Sequence, residues 1–364
     1  MERLTVHVDE KPAYDIVLAE DYEGLGKEIE DIGLGGKRFC IVTDTNVGIH
    51  YIEKIRTILE PRSRSVITFQ FKAGEENKNL DVVKSLYETL IVGDFERGDV
   101  LVALGGGVVG DLTGFAAATY LRGIDFIQLP TSLLAMVDSS IGGKTGVDFS
   151  QYKNMVGAFH MPRLVYANVK TLDTLPDKEL ISGMGEIIKH GLIKDRAYLE
   201  WIEDNARNIR TRETSILIEM IKRSCEIKRG VVEKDPLEKG ERALLNFGHT
   251  IGHAIEKTLN FKYLHGECVA FGMIFAGKLS AMKGLIGEDD YALICDVISR
   301  FPFPDLPEEL DIFKVIKATK KDKKMSEGKI KFILLKSVGD AYIDKKITDE
   351  DMRLAMEAVY EELE

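Results

Sequence analysis

VLVALGGGVVGDLTGFAAATYL, residues 100–121, decides the fold. Its first five residues, Val100 to Leu104, form an unbroken apolar run, which suits a strand buried on both faces of a parallel sheet. From about Leu112 to Leu121 the pattern is helical. Between the two, Gly105, Gly107 and Gly110 satisfy G-x-G-x-x-G. Glycines there let the backbone turn tightly and approach a pyrophosphate, whose charge is favoured at a helix N-terminus. A plain tight turn between a strand and a helix would use the same glycines, so the strand-loop-helix context is what gives the motif weight.

The same alternation continues on both sides. Phe39 to Thr43 and Ser65 to Phe71 read as strands, and Asn79 to Leu90 has helical spacing. Phe126 to Leu129 reads as the next strand, stopped by Pro130. The expected fold class is α/β, with a Rossmann-like doubly wound sheet in the N-terminal half. The glycine loop does not lie in the first βα unit, so a variant of the usual dinucleotide fold is expected. Asp44, which ends the first strong strand, is placed to accept ribose hydroxyls or to cap a helix.

The character changes near Thr171 to Pro176. Helical periods dominate beyond it, at about 178–194, 196–206, 212–233, 249–260, 266–283, 288–299 and 348–362. FPFPDLP (301–307) must be a loop, and Ile330 to Leu335 reads as a late strand. Two domains are expected: an α/β domain over 1–175 and a mainly α-helical domain over 176–364.

The formal net charge is −11, which disfavours general binding to nucleic acid or to a membrane, so an anionic ligand needs a local cluster of cations. Cys40, Cys225, Cys268 and Cys295 are far apart and form no CxxC pair. Reduced thiols in a cytoplasmic protein are expected. Met1 to Glu10 lacks the apolar core of a signal peptide, and no uncharged apolar stretch is long enough to span a bilayer.

Three of the seven histidines fall within residues 249–265. His249 and His253 lie four apart on an expected helix and share a face, and His265 follows in HGE. Such a group can bind zinc, or it can be a hydrogen-bonded core pair. Glu186, in GMGEIIKHG, is the carboxylate best placed among apolar neighbours, where it needs a metal or a cation. Spacing does not choose it over Glu256 or Glu267.

Several cations stand where apolar residues are expected. Lys228 falls on the stripe made by Leu217, Ile221 and Ser224 or Cys225. Lys144 lies among small residues in SSIGGKTGV, and Lys153 and Asn154 lie in QYKNMVGAFH. Lys189 is three residues after Glu186 and shares its face. Arg242, Asn246, His249 and His253 are spaced 4, 3 and 4, one polar stripe if the segment is a single helix. Each cation alone is ordinarily a surface residue. Together they point to a cationic cleft that holds a phosphate and a carboxylate.

At this point the chain resembles the 3-dehydroquinate synthase family. The resemblance is densest over residues 105–149 and continues through KNMVGAFHMP (153–162), TLPDKELISGMGEIIKHG (174–191), LLNFGHTIGHAIE (244–256) and HGE (265–267). It implies an NAD-binding α/β domain, a C-terminal mainly α-helical domain, an active site in the cleft between them, and a homodimer. It implies NAD and a divalent metal, zinc or cobalt, on Glu186, His249 and His265, with His253 beside the metal in contact with substrate.

For NAD the resemblance points to Asp44, Glu75, Lys78, Gly105, Gly106, Gly107, Val108, Asp111, Thr131, Ser132, Asp138, Lys144, Lys153, Thr174 and Leu175. For substrate it points to Arg122, Asp138, Lys144, Lys153, Asn154, Lys189, Lys228, Arg242, Asn246 and His253, with Lys323 or Lys324. Thr171 stands where some relatives carry an aromatic residue near the adenine. The implied reaction converts 3-deoxy-D-arabino-heptulosonate 7-phosphate, a small phosphorylated sugar acid, to 3-dehydroquinate and phosphate. It runs through transient oxidation at C5, β-elimination of phosphate, re-reduction, ring opening and aldol closure, with no net redox change. The rival readings are a sister cyclase that makes a cyclitol from another phosphorylated sugar, a metal-dependent polyol or alcohol dehydrogenase, and a non-catalytic nucleotide-binding protein.

Overall fold

The computed structural model describes residues 1–150, 152–308, 310–320, 325–326 and 329–362. These form two compact units. The first is Met1–Leu175 with Leu217–Leu237, and the second is Pro176–Ile216 with Glu238–Glu364. The first unit thus takes back a stretch, 217–237, that a division into 1–175 and 176–364 gives to the second.

The chain opens with the strands β1 (Glu2–Val8) and β2 (Lys11–Ala19), then α1 (Leu25–Asp31). Next come β3 (Arg38–Asp44), α2 (Thr45–Leu59), β4 (Ser65–Phe71) and α3 (Leu80–Val92). The glycine segment is β5 (Val100–Gly105) followed by α4 (Gly107–Thr119). After β6 (Asp125–Pro130) come a hairpin of β7 (Lys144–Phe149) and β8 (Tyr152–Phe159), and then β9 (Leu164–Asn168).

Seven strands make one sheet in the order β1-β2-β9-β6-β5-β3-β4. All neighbours are parallel except the β1–β2 hairpin at one edge. Strand residues alternate between two cores, as the two-residue period of a strand requires. Phe39 and Ile41 face α1 and α2 through Leu25, Ile29, Ile55 and Leu59. Cys40 and Val42 face α3 and α4 through Val83, Leu86, Val109 and Leu112. Helices on both faces make the sheet doubly wound, which is why its central strands read as unbroken apolar runs.

The chain runs from β3 outward to β4 and then crosses back to β5 on the other side of β3. The order reverses between β3 and β5, and the carboxyl ends of two such strands form a ligand crevice. Asp44 ends β3 and the glycine loop ends β5, so both lie at that switch point.

Next are α5 (Asp177–Lys194), α6 (Arg196–Asp204), α7 (Ala206–Arg210) and α8 (Thr214–Lys234). The helical period expected at 196–206 is α6, which ends at Asp204; the short α7 follows it after Asn205. Most of α8 is the stretch that belongs to the first unit. The chain goes on through α9 (His249–Thr258), α10 (His265–Met282), α11 (Glu288–Ser299) and α12 (Ile312–Thr319). It ends with two short hairpins, β10 (Met325–Ser326) with β11 (Lys329–Ile330) and β12 (Phe332–Ser337) with β13 (Asp340–Asp344), and α13 (Asp349–Glu361).

In the second unit α10 is the central helix, buried on nearly every side. Glycines let its neighbours reach its backbone. A Cβ on Gly266 would fall on the carbonyl oxygen of Ser182 in α5. One on Gly272 would fall on that of Gly248, at the start of α9. An interior glycine costs a helix about 1 kcal/mol against alanine. Here that cost is offset by bringing α5, α9 and α10 backbone to backbone.

Candidate active site

That close packing sets three polar side chains together in the second unit. Glu186 sits midway along α5, His249 is the first residue of α9, and His265 is the first residue of α10. Oε1 of Glu186 lies 3.3 Å from Nε2 of His249 and 3.5 Å from Nε2 of His265. Among the described residues this fully buried oxygen takes part in no hydrogen bond. Nδ1 of His249 faces the Phe247 carbonyl at 3.1 Å. A neutral ring donating there keeps its lone pair on Nε2, aimed at Glu186. Lone pairs and a carboxylate converging on one point make a donor set for a cation, and two histidines with one glutamate match a catalytic zinc shell.

Lys189 donates to the other oxygen of Glu186, deep in the protein. Burial opposes ionisation of Glu186, but Lys189, with the two rings in their protonated forms, outweighs it and holds the carboxyl well below its ordinary range; a bound cation would take the place of those ring protons. Burial likewise pulls His265 down, but Glu186 and Glu256 outweigh it and raise the ring to about 9. His253 stands beside them: the rings of His249, His253 and His265 lie 5.1 to 5.5 Å apart. These three histidines also form a possible ligand group of their own.

The condition for one polar stripe from Arg242 to His253, a single helix, is not met. Glu241–Asn246 is a 3-10 turn, and Gly248 breaks the chain with a left-handed φ of +76° before α9 begins. Only glycine takes that conformation without strain. Arg242 is nonetheless fully buried, and Asn246 donates to Glu238 at 3.2 Å.

In the first unit the loop after β5 is built for close approach. A Cβ on Gly105 would lie 2.5 Å from Cγ2 of Val109, a stiff side chain in the first turn of α4. Gly106 and Gly107 lie opposite the Ser132 and Ser139 hydroxyls, each 3.2 Å from where a Cβ would stand. Thr131 ties this loop to the end of β6 by donating its N–H to the Gly105 carbonyl at 3.0 Å. Val108 packs against the α3–α4 core. Asp44 caps α2, with Oδ1 accepting from Asn46 and Val47 at 2.8 and 2.9 Å. The capping reading of this residue is thus realised. Thr174 bonds Tyr51 at 2.7 Å and Leu175 donates to the Leu172 carbonyl. Thr171 is buried, and its hydroxyl donates to the Asn168 carbonyl at 2.8 Å.

Lys78 joins two elements, donating to Asp111 of α4 and to Asn154 of β8, both at 2.6 Å. Burial pulls Lys78 down and pushes Asp111 up. Their attraction opposes both shifts and prevails at Lys78, whose range ends up raised, while Asp111 remains raised. Glu75 adds negative charge beside both. Lys228, buried on its stripe of α8, bonds both the carboxylate and, at 2.7 Å, the carbonyl of Asp138. Lys153 is half-buried on β8, and Lys144 is exposed at the start of β7. Arg122 is exposed in a turn where Leu121, Arg122 and Gly123 all have positive φ. Lys323 and Lys324 lie outside the described residues.

Two further carboxylates take part, each within its own unit: Glu256, an alternative the sequence left open beside Glu186, and Asp148, which the sequence did not single out. Glu256, seven residues after His249 on α9, is buried and lies 3.8 Å from Nδ1 of His265. Asp148 accepts from the backbone of Asn154. Nothing local distinguishes Asp148.

Comparison with known proteins fits this geometry. The family models for the 3-dehydroquinate synthase N-terminal and C-terminal parts match residues 68–182 and 183–325. A curated 3-dehydroquinate synthase of Acetivibrio thermocellus is 44% identical over 97% of each chain. A solved 2-deoxy-scyllo-inosose synthase, complexed with carbaglucose-6-phosphate, NAD+ and Co2+, superposes with a TM-score of 0.87. It is 26% identical and covers 98% of this chain and 99% of its own. A 2-epi-5-epi-valiolone synthase from Streptomyces hygroscopicus, with NAD+ and Zn2+ bound, superposes with a TM-score of 0.88 at 25% identity, covering 99% of this chain and 100% of its own. On its sequence and its fold alike, the chain belongs to the 3-dehydroquinate synthase family.

Proposed function

We propose that this protein converts 3-deoxy-D-arabino-heptulosonate 7-phosphate to 3-dehydroquinate and phosphate, a step of aromatic amino acid biosynthesis by the shikimate route, with NAD recycled in place. The observation that carries this reading is the convergence of Glu186, His249 and His265 in a chain whose glycine loop lies at a sheet switch point. Membership of the family supports it.

The donor set fits a divalent cation, zinc or cobalt, on Glu186, His249 and His265. The glycine loop fits a dinucleotide, with Asp44, Glu75, Lys78, Asp111, Thr131, Ser132, Thr174 and Leu175 around it. When bound, NAD supplies a reversible hydride acceptor and the cation makes a coordinated hydroxyl more acidic. The chain's own side chains do the remaining work. Lys189 fixes the carboxylate of Glu186. Lys153, Asn154, Arg242 and His253 bind the phosphate that leaves. Lys144 and Lys228, with Lys323 or Lys324, hold the carboxylate end, and Asp138 orients Lys228. Arg122 and Asn246 complete the substrate contacts. Held at both ends, the opened sugar acid is kept in the geometry its aldol closure needs, an orientation effect.

The four cysteines are free thiols, which supports a reducing, cytoplasmic setting. No helix among the described residues is long and apolar enough to cross a membrane. The assembly the family implies is a homodimer, which sedimentation would test. Offering the protein several phosphorylated sugars side by side tests the substrate. Release of phosphate from 3-deoxy-D-arabino-heptulosonate 7-phosphate and not from glucose 6-phosphate supports the reading. The reverse preference supports a cyclitol-forming cyclase.

A further inference from the structure

Asn154 is not a glycine, yet its φ is +52°. Three hydrogen bonds close a ring around it. Its backbone N–H donates to Oδ1 of Asp148 at 2.7 Å. Its side-chain oxygen accepts from Lys78 Nζ at 2.6 Å. The backbone N–H of Asp148 donates to the Lys78 carbonyl at 2.8 Å, beside a parallel bridge between Asn79 and Asp148. Lys78 Nζ also bonds Asp111, which anchors the ring to α4 just beyond the glycine loop. The hairpin has no regular pairing between Val147 and Phe149, so Asp148 is released from the β7–β8 ladder and turned to this task.

We propose that Asp148 is a positioning residue. It fixes the left-handed backbone at Asn154, and with it the direction in which Lys153 and Asn154 point. It does so by accepting one hydrogen bond, not by its charge. The inference rests on the reading of Lys153 and Asn154 as phosphate contacts. Asparagine tolerates a left-handed backbone better than other residues with a Cβ, because its short polar side chain bonds locally; here that side chain is engaged by Lys78 and the backbone N–H by Asp148, which together hold the shape. Loss of one net hydrogen bond is worth about 1 kcal/mol, which corresponds to about fivefold in an affinity.

The test compares Asp148→Ala, Asp148→Asn and Lys153→Ala in the full-length protein with NAD and metal supplied. KM and kcat for the phosphorylated sugar acid are measured together with amide hydrogen exchange at Asn154. Asp148→Ala should raise KM about fivefold or more and speed exchange of the Asn154 amide by a similar factor. Asp148→Asn keeps an acceptor oxygen in the same place and should restore both to within about twofold. If Asp148→Asn is as impaired as Asp148→Ala, charge is what matters and the proposal falls. If Asp148→Ala leaves KM and exchange unchanged while Lys153→Ala raises KM, the proposal fails and the phosphate reading stands. If Lys153→Ala leaves KM unchanged, the phosphate reading itself fails.

Discussion

Glu186 and His249 meet at 3.3 Å, oxygen to Nε2, while the other nitrogen of the ring is engaged by the Phe247 carbonyl. Each lends an unshared pair to the same small volume. The rest of the site is arranged so that this meeting can happen: α5 and α9 both press against α10 through glycine, and Lys189 balances the buried charge.

Replacing Glu186 with Gln should therefore separate metal from fold. Metal content after gel filtration should drop from near-stoichiometric to a small fraction. Chelator competition should show an affinity loss of more than about 100-fold, beyond what a supporting residue costs. Lys189 would lose its charged partner in a buried setting, so chemical denaturation should show a loss of about 3–5 kcal/mol. Unchanged metal affinity would move the site to the three-histidine group.

Two glycine-to-alanine changes should have opposite signs. Gly266→Ala pushes a methyl group into the Ser182 carbonyl and should destabilise by about 3 kcal/mol or more, with loss of metal binding. Gly230→Ala, within α8, meets nothing within 4 Å and should stabilise by about 0.5–1 kcal/mol with activity unchanged. Urea unfolding of both variants against the parent protein decides it.

Gly105→Ala tests the loop. The added methyl would lie 2.5 Å from Val109, so either the loop or the first turn of α4 must shift. NAD affinity, measured by calorimetry, should fall at least about tenfold, a cost of 1–3 kcal/mol for overpacking. Affinity within twofold of the parent would place the dinucleotide elsewhere.

The thiols give a prediction in pH. Burial pushes both Cys40 and Cys225 up to about 12. The reactive form is the thiolate, so neither should be alkylated by iodoacetamide at pH 8 until the protein unfolds. The folded-state value is raised, so the native protein keeps these protons longer than the unfolded chain. Stability is unaffected below about 9 and declines as pH rises from about 9 towards 12. Mass spectrometry of the native protein after labelling checks the first statement, and denaturant midpoints against pH check the second.

What was legible in the sequence was what local chemistry dictates. The glycine loop shows because a strand, a tight turn and a helix start are all constrained within a dozen residues. Lys228 shows because a lysine on an apolar stripe of α8 must find a partner, and Asp138 is that partner. The helical period that begins at 249 matches the start of α9, whereas the even 4, 3, 4 spacing from Arg242 to His253 does not reveal the left-handed break at Gly248. The β1–β2 hairpin was missed because its turn residues, Asp9 and Glu10, take positive φ without the glycine that usually marks such a turn. Glu256 was open as an alternative to Glu186, and its place is decided only where the chain turns from α9 to α10 and brings it to His265; Asp148 is freed only where a ladder is locally broken.

The central claim is that one site uses NAD and a metal to eliminate phosphate without net oxidation. Its most direct test follows phosphate release from 3-deoxy-D-arabino-heptulosonate 7-phosphate with NAD present, before and after chelation of the metal. The account predicts that phosphate and 3-dehydroquinate appear together, that NADH does not accumulate, and that chelation stops the reaction until metal is restored. Steady accumulation of NADH, or phosphate release indifferent to chelation, would contradict it.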